Sequence, residues 1–189
     1  GIRGLAELTR VELSDLGLAA EAVGEMQGRI ISSVDRFEGW LSDLLNVTRP
    51  ANIHVEPTDA ARWLAGLVEA HSPLAQTRGV VLWVDQQHGP GKVAFDSRHL
   101  EHAVSAILSN AIEATASHSN RAGPARVRIV SQVVENGQPG RIWELCIEDS
   151  GPGVPPDLRE KIFKPYFTTK RDGNGIGLAV AMQVVRAHR

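Results

Sequence analysis

Two glycine motifs near the C-terminal end, in a fixed order behind a helix that carries an asparagine, constrain this chain more than any other feature. Asp149-Ser150-Gly151-Pro152-Gly153 follows directly on an apolar run of strand character, and Gly173-Asn174-Gly175-Ile176-Gly177-Leu178 opens an apolar helix. A carboxylate at a strand end can accept a hydrogen bond from the exocyclic amine of a base, and glycines let the backbone pass close to a ring. Glycines ahead of a helix leave backbone N–H groups to face phosphate oxygens, helped by the helix N-terminus. The second motif is not a Walker loop, because no Lys-Ser/Thr follows its glycines. It is not a dinucleotide fingerprint either, because it follows a polar loop near the chain end rather than a first strand.

Upstream, Asn110 lies on a helix expected to begin near Asp96, with Leu108 and Ile112 around it. An amide in apolar company needs partners. Either backbone groups hold it, or its oxygen serves Mg²⁺, a metal that takes few protein ligands and leaves the rest to water and phosphate. Glu113 and Ala114 follow one turn later; Glu113 either reaches the same region or is solvated. In order, the motifs supply a metal ligand, an adenine reader, a lid and a phosphate cradle, which are the parts of an ATP site.

Composition narrows the classes. Of 189 residues, 42% are hydrophobic and 22% charged, enough for a packed core. The net charge of −2 provides no basic footprint for nucleic acid. The single cysteine, Cys146, rules out an intrachain disulfide framework and fits a reducing compartment; within the apolar run 142–147 it is expected to be a buried thiol. No apolar run reaches the roughly 18 residues a membrane span needs. The expected setting is cytoplasmic, without membrane contact by this chain, although a longer parent could be membrane-attached.

Residues 1–48 lack proline, and Ile30, Val34, Phe37, Leu41 and Leu44 repeat at coiled-coil-like steps. With Gly17, Gly24 and Gly28 interrupting, they predict a helical hairpin over 1–49. Such a hairpin cannot bury its seam alone, which argues for a homodimer; the alternative is a hairpin folded onto its own domain. Arg49-Pro50 ends it. From 50 to 189 the pattern is mixed α/β. It predicts strands at 53–56, 80–84, 92–95, 125–134 and 142–148, the fourth with Val127, Ile129 and Gln132 set inward against Arg126, Arg128 and Ser131 outward. It also predicts a helix capped by Thr58, one capped by Asp96 or Ser97, and a last one over about 174–187.

The ordered set resembles the nucleotide-binding domain of bacterial sensor histidine kinases, within the wider group that includes gyrase, heat-shock chaperones and mismatch-repair ATPases. Residues 109–114 resemble the family's N box, 149–153 its G1 box, 163–167 its F box and 173–178 its G2 box. The resemblance implies an α/β sandwich behind an α-helical dimerisation hairpin. It implies that Asn110 binds Mg²⁺, that Asp149 reads the adenine amine, and that Gly151 and Gly153 shape the pocket. Residues 163–175 would form the lid, with Thr168, Thr169 and Lys170 approaching the phosphates. Glu113, Gly173, Gly175, Gly177 and Leu178 would complete the ATP site. The implied reaction moves the γ-phosphoryl group of ATP to a histidine and then to an aspartate on a response-regulator receiver domain.

Residues 43–50 resemble the ending of the family's second hairpin helix, and Gly1-Ile2-Arg3-Gly4 resembles the segment just after the phosphoacceptor histidine in nitrogen-regulation-type kinases. The chain departs from the family in three ways. No histidine precedes His54, so no catalytic residue is assigned, and a start just after the acceptor is expected. The family continues past the last helix, so the C-terminus is expected to be short. Ala106, four residues before Asn110, stands where ATP-hydrolysing relatives carry a glutamate. A pseudokinase or scaffold acting through protein contacts is the alternative reading, and an anti-sigma-type serine kinase fits the long hairpin less well.

Overall fold

The computed structural model describes residues 24–26, 28–31, 33–34, 53–87, 91–120, 123–135, 141–170 and 173–188. The chain divides into two compact units, Gly1–Arg49 and Pro50–Arg189. In the first, the described residues are helical, Ile30 and Val34 of the seam among them. Phe37, Leu41, Leu44 and the hairpin's turn lie outside the described residues.

The second unit places helices on one face of a mixed sheet. Its order is β1 (Glu56–Asp59), α1 (Ala60–Thr77), β2 (Val81–Gln87), β3 (Lys92–Phe95), α2 (Ser97–Ser117), β4 (Arg126–Glu135), β5 (Arg141–Asp149) and α3 (Gly177–Ala187). The main sheet runs β2-β4-β5, with β2 parallel to β4 and β4 antiparallel to β5; β1 and β3 form a separate antiparallel pair. The first strand sits three residues later than the apolar pattern of 53–56 suggests. The cap of α1 is Asp59 rather than Thr58, its carboxylate accepting the Arg62 N–H at 3.0 Å. A carboxylate next to the first helical turn outcompetes a hydroxyl one residue earlier.

Leu64, Leu67, Leu108, Ile112, Val127 and Ile129 are buried between α1, α2 and the sheet. Each contributes roughly 1.5–3 kcal/mol of burial. Trp63, Phe95 and Trp143 close one end, with ring centroids 5.1–6.1 Å apart.

Two expectations fail for one physical reason. Cys146 is exposed, not buried. Strand β5 puts Trp143, Leu145 and Ile147, which pack against the core, on one face and Cys146 on the other. Ser131, grouped by sequence with the outward residues of β4, is fully buried and accepts the Trp143 indole N–H at 3.0 Å. The period of two, counted from Val127 and Ile129, assigns Ser131 to the core face despite its hydroxyl.

Asp96 joins three segments. Its carboxylate accepts the His99 N–H at 2.9 Å, the His54 N–H at 2.8 Å and the His99 ring at 2.8 Å. Its own N–H donates to His188 Nε2 at the end of α3, at 3.0 Å. Burial alone would push this carboxyl up. The N–H groups of His99 and His54 and the His99 ring outweigh burial and hold it at about 2. Because the folded value lies below the unfolded one, the ionised group stabilises the domain above about pH 4, and that contribution fades as pH falls toward 2. Asp96→Ala should cost about 2 kcal/mol at neutral pH and lower the thermal midpoint by several degrees. Scanning calorimetry at pH 7 and pH 3 checks this: the wild-type advantage should shrink at the lower pH.

Candidate nucleotide site

The site forms where the C-terminal half of α2, the end of β5 and the N-terminus of α3 converge. Asn110 and Glu113 stand one turn apart on α2, both half-buried. Opposite them, Lys170 Nζ donates to Asn110 Oδ1 at 2.5 Å and to Glu113 Oε2 at 2.6 Å. Glu113 is therefore ion-paired rather than simply solvated, and the side chain that joins it to Asn110 comes from about 60 residues further along the chain. An amide oxygen and a carboxylate oxygen facing one cation form a donor set of the kind that suits Mg²⁺, and here the two hold the Lys170 ammonium.

Asp149 ends β5 on the helix-facing side of the sheet, paired with Val127. Its Oδ1 accepts the Gly151 N–H at 2.8 Å. The other carboxylate oxygen has no partner among the described residues. Gly151 lies so close to α2 that a Cβ there would meet Asp149 Oδ1 at 2.7 Å and the Ala114 backbone at 3.2 Å. Only a residue without a side chain lets this loop seat against the helix. Gly153, at φ 72°, faces open space, so its requirement is one of backbone angle alone. Ser150, to which the motif chemistry gives no role, ties the loop to β4: its hydroxyl accepts the Arg126 N–H at 2.9 Å, and the His118 ring donates to its carbonyl at 3.3 Å.

Residues 166–170 and 173–175, within the segment expected to be a lid, fold back on one another. Gly175, at φ 67°, lies where a Cβ would come within 2.6 Å of the Tyr166 carbonyl carbon and the Phe167 carbonyl oxygen. Tyr166 itself has φ 66° and is exposed. Thr168 Oγ1 accepts the Lys170 N–H at 3.1 Å, and the Gly173 N–H donates to the Lys170 carbonyl at 3.3 Å. Thr168 thus shapes the turn that presents Lys170, while Thr169 is exposed.

Helix α3 begins at Gly177, three residues later than the glycine motif suggested, with Leu178 half-buried in its first turn. Its cap residue, Ile176, provides no side-chain hydrogen bond. The first-turn N–H groups of Gly177, Leu178 and Ala179 have no intrahelical partner by geometry, as an anion site requires. Gly177 also abuts Ala106, where a Cβ would sit 3.3 Å from the methyl. A small residue at 106 lets α3 approach α2. A cleft of about 520 Å³, lined by Trp63, Arg62, Asp59, Ser97 and Glu101, opens between the first turns of α1 and α2. Asn110, Glu113, Asp149 and Lys170 do not line it.

A motif-bearing helix, a strand-end Asp-x-Gly-x-Gly and a glycine-led helix on one sheet face form the architecture of a known family, and its sequence profile, described as histidine kinase-, DNA gyrase B- and HSP90-like ATPase, matches residues 95–189. The chain belongs to this ATPase family. It is 28% identical over 192 residues to the signal transduction histidine-protein kinase AtoS of Escherichia coli K12, covering all of this chain and 28% of that protein. It is 27% identical over 194 residues to the sensory histidine kinase/phosphatase NtrB of Vibrio alginolyticus, covering 52% of it. The chain thus spans between about a quarter and a half of these relatives. The mycobacterial sensor histidine kinase MprB is 30% identical, with a TM-score of 0.57 over 71% of this chain and 80% of that one. Full-length ShkA in complex with AMPPNP shares the fold, with a TM-score of 0.75 at 22% identity over 98% of this chain and 40% of that one. The domain is therefore of the nucleotide-binding histidine-kinase type. No helix among the described residues is long and apolar enough to cross a membrane.

Proposed function

We propose that this chain is the ATP-binding catalytic portion of a sensor histidine kinase. It would pass the γ-phosphoryl group of ATP to a histidine and from there to an aspartate on a response-regulator receiver domain. The observation that carries the reading is that Lys170 meets Asn110 and Glu113 on α2, while the loop from Asp149 to Gly151 seats on the same helix at the next residue, Ala114. Asp149 would read the adenine amine, and the N-terminus of α3 would receive phosphate oxygens. Lys170 would neutralise phosphate charge as a point cation. Asn110 would hold Mg²⁺, which would supply charge neutralisation for the phosphates, because positioning and charge stabilisation dominate phosphoryl transfer. No histidine precedes His54, so the acceptor imidazole would come from elsewhere in the full protein or from another chain. The first unit, 1–49, would pair with a second copy.

Asn110→Ala should weaken Mg-dependent nucleotide binding about 10-fold while leaving the thermal midpoint nearly unchanged, since its amide faces the lid rather than the core. Titration calorimetry with and without Mg²⁺ checks this. A variant that unfolds, yet whose folded fraction binds Mg-ATP normally, would show that the amide is only structural. Ala106, at the position where ATP-hydrolysing relatives carry a glutamate, favours a second reading, a nucleotide-binding scaffold without transfer. Phosphorylation of a histidine-bearing hairpin supplied in trans separates the two.

A further inference from the structure

One lid side chain reaches back to helix α2. Lys170 Nζ contacts Asn110 Oδ1 and Glu113 Oε2 at 2.5 and 2.6 Å, and these two acceptors sit three residues apart on one helix face. Neither oxygen donates, so a cation suits the pair best. The ammonium is not simply the tip of an unconstrained chain. The turn beneath it is set by Thr168 Oγ1 on the Lys170 N–H and by the Gly173 N–H on the Lys170 carbonyl. The tight approach of Gly175 to Tyr166 and Phe167 then fixes the base of that turn.

A magnesium ion held by Asn110 Oδ1 would stand about 2.1 Å from it. That position falls within the space the ammonium takes, and both charges are positive. The two cations exclude each other on that oxygen. We propose that Lys170 is an internal competitor of the metal: seated on Asn110 and Glu113 it ties the lid to α2, and it must leave before metal-nucleotide is held. The idea rests on the reading of Asn110 as a metal ligand. Once displaced, the ammonium would be available to phosphate oxygens, and Glu113 would be left with its charge facing the incoming metal. Glu113 and Lys170 side chains are each 41% exposed, so the tie is weak, worth about a two- to five-fold change in an equilibrium. A tie of that strength yields to metal-nucleotide binding.

The test uses the full 189-residue chain and Lys170→Met, which keeps most of the stem and removes the charge. Mn²⁺ binding without nucleotide is followed by paramagnetic relaxation. Lid opening is followed by amide hydrogen exchange over 163–170 and 173–176. Lys170→Met should bind Mn²⁺ about two- to five-fold more tightly and exchange lid amides faster by a similar factor. The gain in Mn²⁺ affinity should disappear when Asn110→Ala is added. Unchanged Mn²⁺ affinity in Lys170→Met, with a wild type that binds Mg-ATP, overturns the competition alone. A wild type that binds neither Mg-ATP nor Mn²⁺ through Asn110 overturns the functional reading, and the competition with it.

Discussion

Asp149→Asn is expected to lower ATP affinity at least about 10-fold with little change in the fold. A hydrogen bond to a charged acceptor contributes roughly 1.5–3 kcal/mol. The geometry sharpens the expectation, because Oδ1 is already engaged by the Gly151 N–H at 2.8 Å. An asparagine that keeps this bond presents its NH₂ group where the second carboxylate oxygen was. The adenine amine would then face a donor instead of an acceptor. GTP, whose base has a carbonyl at that position, should lose less or gain. Calorimetric titration of both nucleotides against a variant with wild-type thermal midpoint decides the matter. Equal ATP affinity in wild type and variant would remove Asp149 from the site.

Gly175→Ala is the second large effect. At φ 67° a side chain is strained by about 1–2 kcal/mol. Here the added methyl would also lie 2.6 Å from the Tyr166 carbonyl carbon and the Phe167 carbonyl oxygen. Those are backbone atoms and cannot rotate away, so the base of the lid must open. Nucleotide affinity should fall about 10-fold or more, together with the Lys170 contacts to Asn110 and Glu113. Gly153→Ala is the control. Its φ of 72° is similar but nothing lies within 4 Å of the new methyl, so only the strain of about 1–2 kcal/mol should appear. Comparable losses in the two variants would show that the lid base is not set by the backbone approach at Gly175. Thermal unfolding and nucleotide titration on both variants make the comparison.

The α/β class, the strand Lys92–Phe95, the helix capped by Asp96 and the family itself were legible in residue order. Each rests on local chemistry: apolar period, capping carboxylates and glycine spacing act over a few residues and leave a trace in the sequence. Boundaries shifted where two neighbours compete for one role, as Thr58 and Asp59 do for the α1 cap. The face of Cys146 was not legible, because an apolar run shows that a strand is half-buried without showing which half. Ser131 could have been placed by strict counting from Val127 and Ile129; its polarity misled, and its partner, the Trp143 indole, stands 12 residues away on the neighbouring strand.

The site divides along the same line. Residue order alone placed Asn110, Asp149 and the two glycine motifs in one domain of this ATPase family, because their order and spacing match its motifs. Only the tertiary structure decided which of them touch. The ammonium of Lys170 meets Asn110 and Glu113 from about 60 residues away. The Gly151 loop seats on Ala114, Gly175 crosses Tyr166 and Phe167, and Asp96 gathers His54, His99 and His188. These contacts depend on how the sheet and helices pack, a property of the whole unit and of no single segment.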